Sequence, residues 1–366
     1  MTEFDALLRL NMTKGIGIRT YKALVERFGS SEAILDAPRA ALETVPGIGP
    51  KLANAIVEES RTIDIAAEIH LAKEKDVQII PYTSEQYPKH LKAIYDPPLV
   101  LYVKGNILEA DILALAIVGA RRCTYYGLSQ AERFGRLLAQ KGLCIVSGMA
   151  RGIDAAAHRG AIGSRGRTIA VLGCGLGVMY PRENIELAEQ IVQHGAIVSE
   201  FPMNTPPDFR NFPPRNRLIS GLSLGVLVVE SSLKSGSLIT AQWALEQGKE
   251  VFAIPGNIDN IYSRGTHKLI KEGAKLVEDI TDIIQELGPI AETLNMSDVP
   301  ITNDPRSLSL NSQEKKIFSL LSSSPKDIDE IIRITKLPTS VVSSTLLILE
   351  IRKVVKQLSG KRFVKA

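Results

Sequence analysis

A chain of 366 residues, 45% apolar and 23% charged, has room for two or three cored domains at roughly 150 residues each and is not a disordered polymer. Its formal charge of +4 admits a nucleic-acid partner without requiring one. No apolar run reaches the ~18 residues of a membrane span and MTEFDALLRL does not read as a secretory signal, so no membrane partner is expected. Three cysteines without CxxC spacing form no disulfide framework, and a reducing cytoplasm is the expected setting.

Residues 1–70 have a helical period and two glycine-hinged units. Lys14-Gly15-Ile16-Gly17-Ile18 precedes the amphipathic TYKALVERFG, and Val45-Pro46-Gly47-Ile48-Gly49-Pro50 precedes KLANAIVEE. Glycine allows a tight turn there, after which a new helix starts with free N–H groups. The pattern resembles a tandem helix-hairpin-helix pair, the alternative being an inert helical bundle of the SAM-like kind. Such a pair either grips a phosphate backbone through those amides or serves as a helical spacer. Residues 71–110 read as a connector into the central domain.

Between residues 111 and 288, short apolar runs at 112–119, 143–148, 168–173, 196–200, 224–230 and 250–256 alternate with amphipathic stretches. Continuous apolar runs of that length predict a parallel sheet buried on both faces. Right-handed crossovers then make it an α/β, Rossmann-like, doubly wound domain. Residues 289–310 are rich in Pro, Ser, Asn and Asp and read as a linker. Residues 311–366 run helix, helix, turn, helix, hairpin, the order of a winged helix, with Ser312 and Asp327 expected to cap its first two helices.

Chemistry-bearing residues gather at the carboxyl ends of the predicted strands. Gly119, Arg121 and Arg122 follow the first run, and Ser147, Gly148 and Arg151 the second. Arg210, Phe212, Arg215 and Asn216 lie in a Pro-rich loop that leads into a helix, and Lys234, Ser235, Gly236 and Ser237 follow the fifth run. A guanidinium offers phosphate two parallel hydrogen bonds, and amides at a helix start add neutral donors. Together these residues describe a groove lined for phosphates. Phe212, set among arginines, reads either as a platform on which a base stacks or as an anchor inserted under the sheet edge.

Other chemistries fit less well. Gly173-Cys174-Gly175-Leu176-Gly177 is GxGxG rather than GxGxxG and follows the third run. The next acid at a strand end, Glu200, lies 27 positions beyond Gly173 instead of the ~20 expected of a ribose ligand. There is no GxxxxGK[ST], so no cofactor is expected. There is no GxSxG elbow either; Ser147, His158 and Asp154 can be drawn as a triad, but the simpler reading is that Asp154 and His158 support the loop. The five histidines show no paired spacing, so no metal site is expected.

The stretches IVGARR (117–122), SGMARGIDAAAH (147–158), TIAVLGCGLGVMYP (168–181), FPPRNRLISGLSLGVLVVES (212–231) and SGSLITAQWALEQGKEVFAIPGN (235–257) make the chain resemble the DNA-processing protein A (DprA, also called Smf) family. They run in order through nearly the whole central domain, and the flanking domains match the family's common three-part layout. The resemblance implies a bacterial protein that binds single-stranded DNA, protects incoming strands during natural transformation and loads the RecA recombinase onto them. It also implies a homodimer formed through the Rossmann-like domain, without catalysis. In site terms it implies phosphate contact at Arg121 and base stacking at Phe212, with Arg215 and Asn216 beside it. Two positions depart from the family pattern. Phe209 stands where many relatives carry a lysine, leaving Arg210 to supply the charge, and Ala120 replaces a hydroxyl residue.

From Asn311 onward, eleven basic and five acidic residues give a net +6, which leaves −2 for the first 310. Lys361 and Arg362, beside the expected hairpin, are candidates for duplex or docking contacts. The presumed recognition helix, TSVVSSTLLILEI, carries no Arg, Asn or Gln to read base edges. Two rival readings remain. One is a nucleotide hydrolase of the lysine-decarboxylase-like (LOG) type, whose PGGxGTxxE motif has no good counterpart here. The other is a transcription factor built on the winged helix.

Overall fold

The computed structural model describes residues 1–288, 310–322, 324–352 and 354–365. The expected linker, except its last residue, lies outside them. The described residues fall into two compact units. The larger holds residues 1–122 and 131–288; the smaller holds residues 123–130 and those from 310 on.

The larger unit is built on nine strands: β1 (Val77–Pro81), β2 (Val100–Gly105), β3 (Ala114–Val118), β4 (Cys144–Ser147), β5 (Thr168–Val171), β6 (Gly195–Ser199), β7 (Gly225–Val228), β8 (Glu250–Ala253) and β9 (Lys275–Leu276). Their order is β1-β2-β6-β5-β4-β3-β7-β8-β9. From β6 to β9 every neighbouring pair is parallel. The six apolar runs of the sequence each match one strand from β3 to β8, β6 starting one residue before its run, and β3 to β7 are buried along their whole length. That is the burial expected of strands covered by helices on both faces.

The sheet is not purely parallel. Residues 71–110, expected as a connector, supply β1 and β2, which pair antiparallel with each other and, through β2, with β6. β1 sits at the sheet edge and its burial is broken along VQIIP, so it lacks the unbroken apolar run that marks a central strand.

Chain order reverses between β3 and β7: β4, β5 and β6 extend to one side, β7, β8 and β9 to the other. Loops leaving the carboxyl ends of β3 and β7 therefore diverge, and a crevice opens between them. The amphipathic stretches between the runs form helices, among them Ile153–Gly163, Phe212–Gly221 and Gly236–Glu246, which start at that edge.

The N-terminal region is helical as expected. Thr2 and Asp5 form a reciprocal capping box on the helix Glu3–Met12. The helices Ile18–Phe28 and Pro50–Val57 start at Gly17 and Gly49. Gly15 and Gly47 take φ of +94° and +86°, the left-handed backbone that the hairpin turns demand. This region does not pack by itself. Leu7, Leu24, Ile34 and Ile56 belong to one continuous core with Tyr102, Leu172 and Met203 of the sheet domain. The buried Glu68 carboxylate also accepts the Met203 N–H at 2.8 Å.

The smaller unit contains the helices Ser312–Leu320, Ile328–Thr335 and Thr339–Ile351 and three short strands, β10 (Lys326–Asp327), β11 (Val355–Leu358) and β12 (Arg362–Lys365), in the order β10-β12-β11. Ile317, Ile331, Val342, Leu346, Leu349 and Phe363 form its core. Asp327 caps its helix as expected. The first helix is capped by Asn311, not Ser312, because Asn311 and Glu314 satisfy each other's backbone N–H in a capping box. Among the described residues no single helix is long and apolar enough to cross a membrane.

Candidate nucleic-acid interface

A groove of about 430 Å³ opens over the reversal point of the sheet. Gly119, Ala120, Arg121 and Arg122 form one wall; Ser232, Ser235, Gly236 and Ser237 form the wall opposite; Phe209, Phe212, Arg215 and Asn216 complete it. Close packing at the end of β3 depends on Gly119, where a Cβ would meet Ile153 Cγ1 at 2.6 Å and the Glu230 carbonyl at 2.9 Å. The main chain is locked there by the Ala120 N–H, which donates to the Glu230 carbonyl at 2.7 Å. Arg121 and Arg122 are exposed at the rim.

The opposite wall is a helix start. Ser235 caps the helix Gly236–Glu246, its hydroxyl accepting from the Ser237 N–H. The Ser237 hydroxyl in turn donates to Ser231 Oγ at 3.0 Å. Asn216 ties this wall to the next helix by donating to the Gly236 carbonyl at 3.2 Å. The first amides of a helix and its dipole favour an anion. Lys234 stands exposed beside them.

Below the groove lies a buried polar junction. Arg215, 4% exposed, donates through Nη1 to the carbonyls of Gly148, at 3.2 Å, and Val171. The Asp154 carboxylate accepts the N–H groups of Gly148 at 3.2 Å and Ala150 at 3.3 Å. Gly148 separates the two: a Cβ there would lie 2.8 Å from Arg215 Nη2 and 2.8 Å from Asp154 Oδ2. Burial pushes the Asp154 carboxyl up while Arg215 pulls it down, and burial lowers Arg215 to about 10. Both shifts oppose charge, so desolvation outweighs the mutual attraction, and Arg215 still carries its proton at neutral pH. Arg215 holds three loops together and offers little surface to a ligand.

Phe212 stands over this junction, half-buried. Its ring stacks on Tyr180 with centroids 5.9 Å apart and planes at 25°, and the guanidinium carbons of Arg121 and Arg215 lie 5.0 and 5.9 Å from its centre. Gly173 supplies its seat, since a Cβ there would meet Phe212 Cδ1 at 2.7 Å. Phe212 is thus a ring wedged into the sheet edge and adjoining the exposed Arg121.

The remaining expected residues are placed as follows. Arg151 is exposed and hydrogen-bonded to Glu183, and Arg210 is exposed and chelated by Asp208. The Ser147 hydroxyl donates to the Ile117 carbonyl at 2.6 Å, away from any triad. His158 bonds through Nδ1 to Thr168 at 2.6 Å, and burial lowers it to about 3. Ser147, His158 and Asp154 therefore serve three different partners. Lys361 and Arg362 lie exposed in the smaller unit.

Three contributors are not among the expected contact residues. Arg217, 6% exposed, forms a bidentate pair with Glu200 at 2.6 and 2.7 Å and donates to the Asp96 carbonyl at 2.9 Å. An arginine two residues after another, in PPRNR, was the available signal. Tyr180 and Gly173 build the seat of Phe212 and carried no signal beyond lying within one glycine-rich stretch. A larger cavity, about 550 Å³ beside β1 and β2, shares none of the groove residues and mixes Glu85 and Glu109 with Lys89 and His90.

The sequence of residues 78–288, which carries this whole groove, matches the family model described as DNA recombination-mediator protein A. The chain belongs to that family. Residues 4–62 match a SAM-like helix-hairpin-helix tandem, and residues 302–361 the family's own winged-helix domain. The DNA processing protein DprA of Bacillus subtilis is 47% identical over 216 residues, 59% of this chain and 73% of that protein. The crystal structure of DNA processing protein A from Streptococcus pneumoniae superposes with a TM-score of 0.66 at 36% identity, covering 78% of this chain and 98% of that one. A structure describing the single-stranded DNA binding mode of the Helicobacter pylori protein gives a TM-score of 0.52 at 34% identity, covering 58% of this chain and 95% of that one. Family membership places this protein among the recombination mediators.

Proposed function

We propose that the groove holds single-stranded DNA by its backbone. Arg121, Arg122 and the helix start at Ser235–Ser237 contact phosphates, Lys234 adds charge, and Arg215, Asn216, Ser147 and Gly148 hold the loops in register. The observation that carries this reading is the facing pair of walls: an exposed arginine loop at the end of β3, and opposite it a capped helix N-terminus. Both favour phosphate, neither reads a base edge, and an aromatic ring stands between them. The single-stranded DNA binding named for the Helicobacter pylori protein supports the choice of strand.

Protection of incoming strands during transformation, loading of the RecA recombinase, homodimerisation through the sheet domain and absence of catalysis are parts of the same proposal. Family membership supports them. The experiment is binding of single- and double-stranded oligonucleotides over a salt series, with a RecA-loading assay alongside. Preference for the single strand with a steep salt dependence is expected. Equal affinity for duplex DNA, or release of nucleobase from nucleoside monophosphates, would contradict it. Lys361 and Arg362 are assigned non-specific duplex or docking contacts, since the helix Thr339–Ile351 exposes Ser343, Ser344, Leu347 and Ile348 rather than base-reading side chains.

A further inference from the structure

Phe209 lines the groove and has no part in its phosphate-binding walls. Its side chain is 79% exposed and forgoes the burial that favours most phenylalanines. The turn that carries it is stapled. The Asp208 carboxylate accepts the Arg210 main-chain N–H at 2.8 Å and the Arg210 guanidinium at 3.0 Å, and the Asn211 N–H donates to the Asp208 carbonyl at 3.0 Å. Asp208 and Arg210 thus answer each other's charge, and the Arg210 guanidinium carbon lies 5.9 Å from the Phe209 ring centre. Three residues on, Phe212 is in the opposite state, stacked on Tyr180 and seated over Gly173.

We propose that Phe209 is a further surface on which an unpaired nucleobase stacks, beside the ring of Phe212. This rests on the single-strand reading above and extends it: Phe209 becomes a residue that separates single strands from duplex, whose bases are already stacked on one another. A ring face accepts any base, so the contact is tolerant of sequence. It touches no phosphate, so it adds affinity without adding to the salt dependence.

The test uses the full chain as wild type, Phe209→Ala and Phe209→Trp, with an oligothymidylate and an abasic oligonucleotide of the same length, over a salt series. Phe209→Ala should weaken oligothymidylate binding about tenfold, as loss of one base stack does, with the salt slope and abasic binding unchanged. Tryptophan emission of Phe209→Trp, compared with wild type, should be quenched by oligothymidylate and not by the abasic strand. Wild-type binding that Phe209→Ala leaves intact, or weakens equally for both oligonucleotides, overturns this proposal alone. Absence of wild-type binding overturns the single-strand reading together with it.

Discussion

The arginines at the sheet edge and the basic residues of the winged helix hold positive charge under opposite conditions. At the sheet edge Arg215 and Arg217 are buried and committed to carbonyls and a carboxylate, while Arg151 and Arg210 are matched with acids. The exposed Arg121 and Arg122 face the groove. In the winged helix Lys315, Arg333, Lys336, Lys361 and Arg362 are all exposed. Residues from Asn311 on carry the net +6, against −2 for the rest. On the proposed reading the groove would hold phosphate by geometry with few available charges, and the winged helix by charge density.

The comparison breaks first at its buried arginine. Arg215→Ala should unfold the junction, leaving Asp154 uncompensated and two carbonyls unpaired, at about 3–5 kcal/mol in denaturant titration. Arg215→Lys should not restore it, because a lysine lacks the planar fork. Stability unchanged in Arg215→Ala would mean that the buried junction does not organise the loops. Arg121→Ala should keep its melting temperature and lose roughly tenfold or more in single-strand affinity, equally for all sequences. Lys361→Ala with Arg362→Ala should reduce duplex binding and its salt slope and change single-strand affinity by about twofold at most, a change read by the same assay.

A separate effect is a pH dependence of stability. His158 is held at about 3 against an ordinary 6.5, so its neutral form belongs to the folded state. Its contribution to stability is complete above about 6.5 and is lost as pH falls from there toward 3. Melting temperature followed down that range should fall less steeply for His158→Gln than for wild type. Parallel curves would show that protonation of this residue does not weaken the fold.

Much of the architecture is legible in the amino-acid sequence. ILALAIVG and LGVLVVE reveal central strands because both of their faces are covered, and the loops that follow carry the groove residues by position alone. β1 stayed hidden because VQIIP is a half-exposed edge strand, and such strands lack the unbroken run. The N-terminal helices show an apolar face in their period, but a period does not say what covers it; here it is Tyr102, Leu172 and Met203 of the sheet domain. In DFRNFPPRN two phenylalanines flank Arg210, and nothing local decides which one inserts. Gly173, far away in sequence, decides it by leaving room for Phe212. Burial of Arg215 was equally invisible, since an arginine in a polar loop reads as exposed.

The most direct measurement is the slope of log affinity against log salt for a single-stranded oligonucleotide, in wild type and Arg121→Ala. With the groove as the binding site, the variant's slope should be shallower by about 0.7 for each phosphate that the guanidinium neutralises, with weaker binding at every salt concentration. A variant that matches wild type in both affinity and slope would contradict the assignment of the sheet-edge groove.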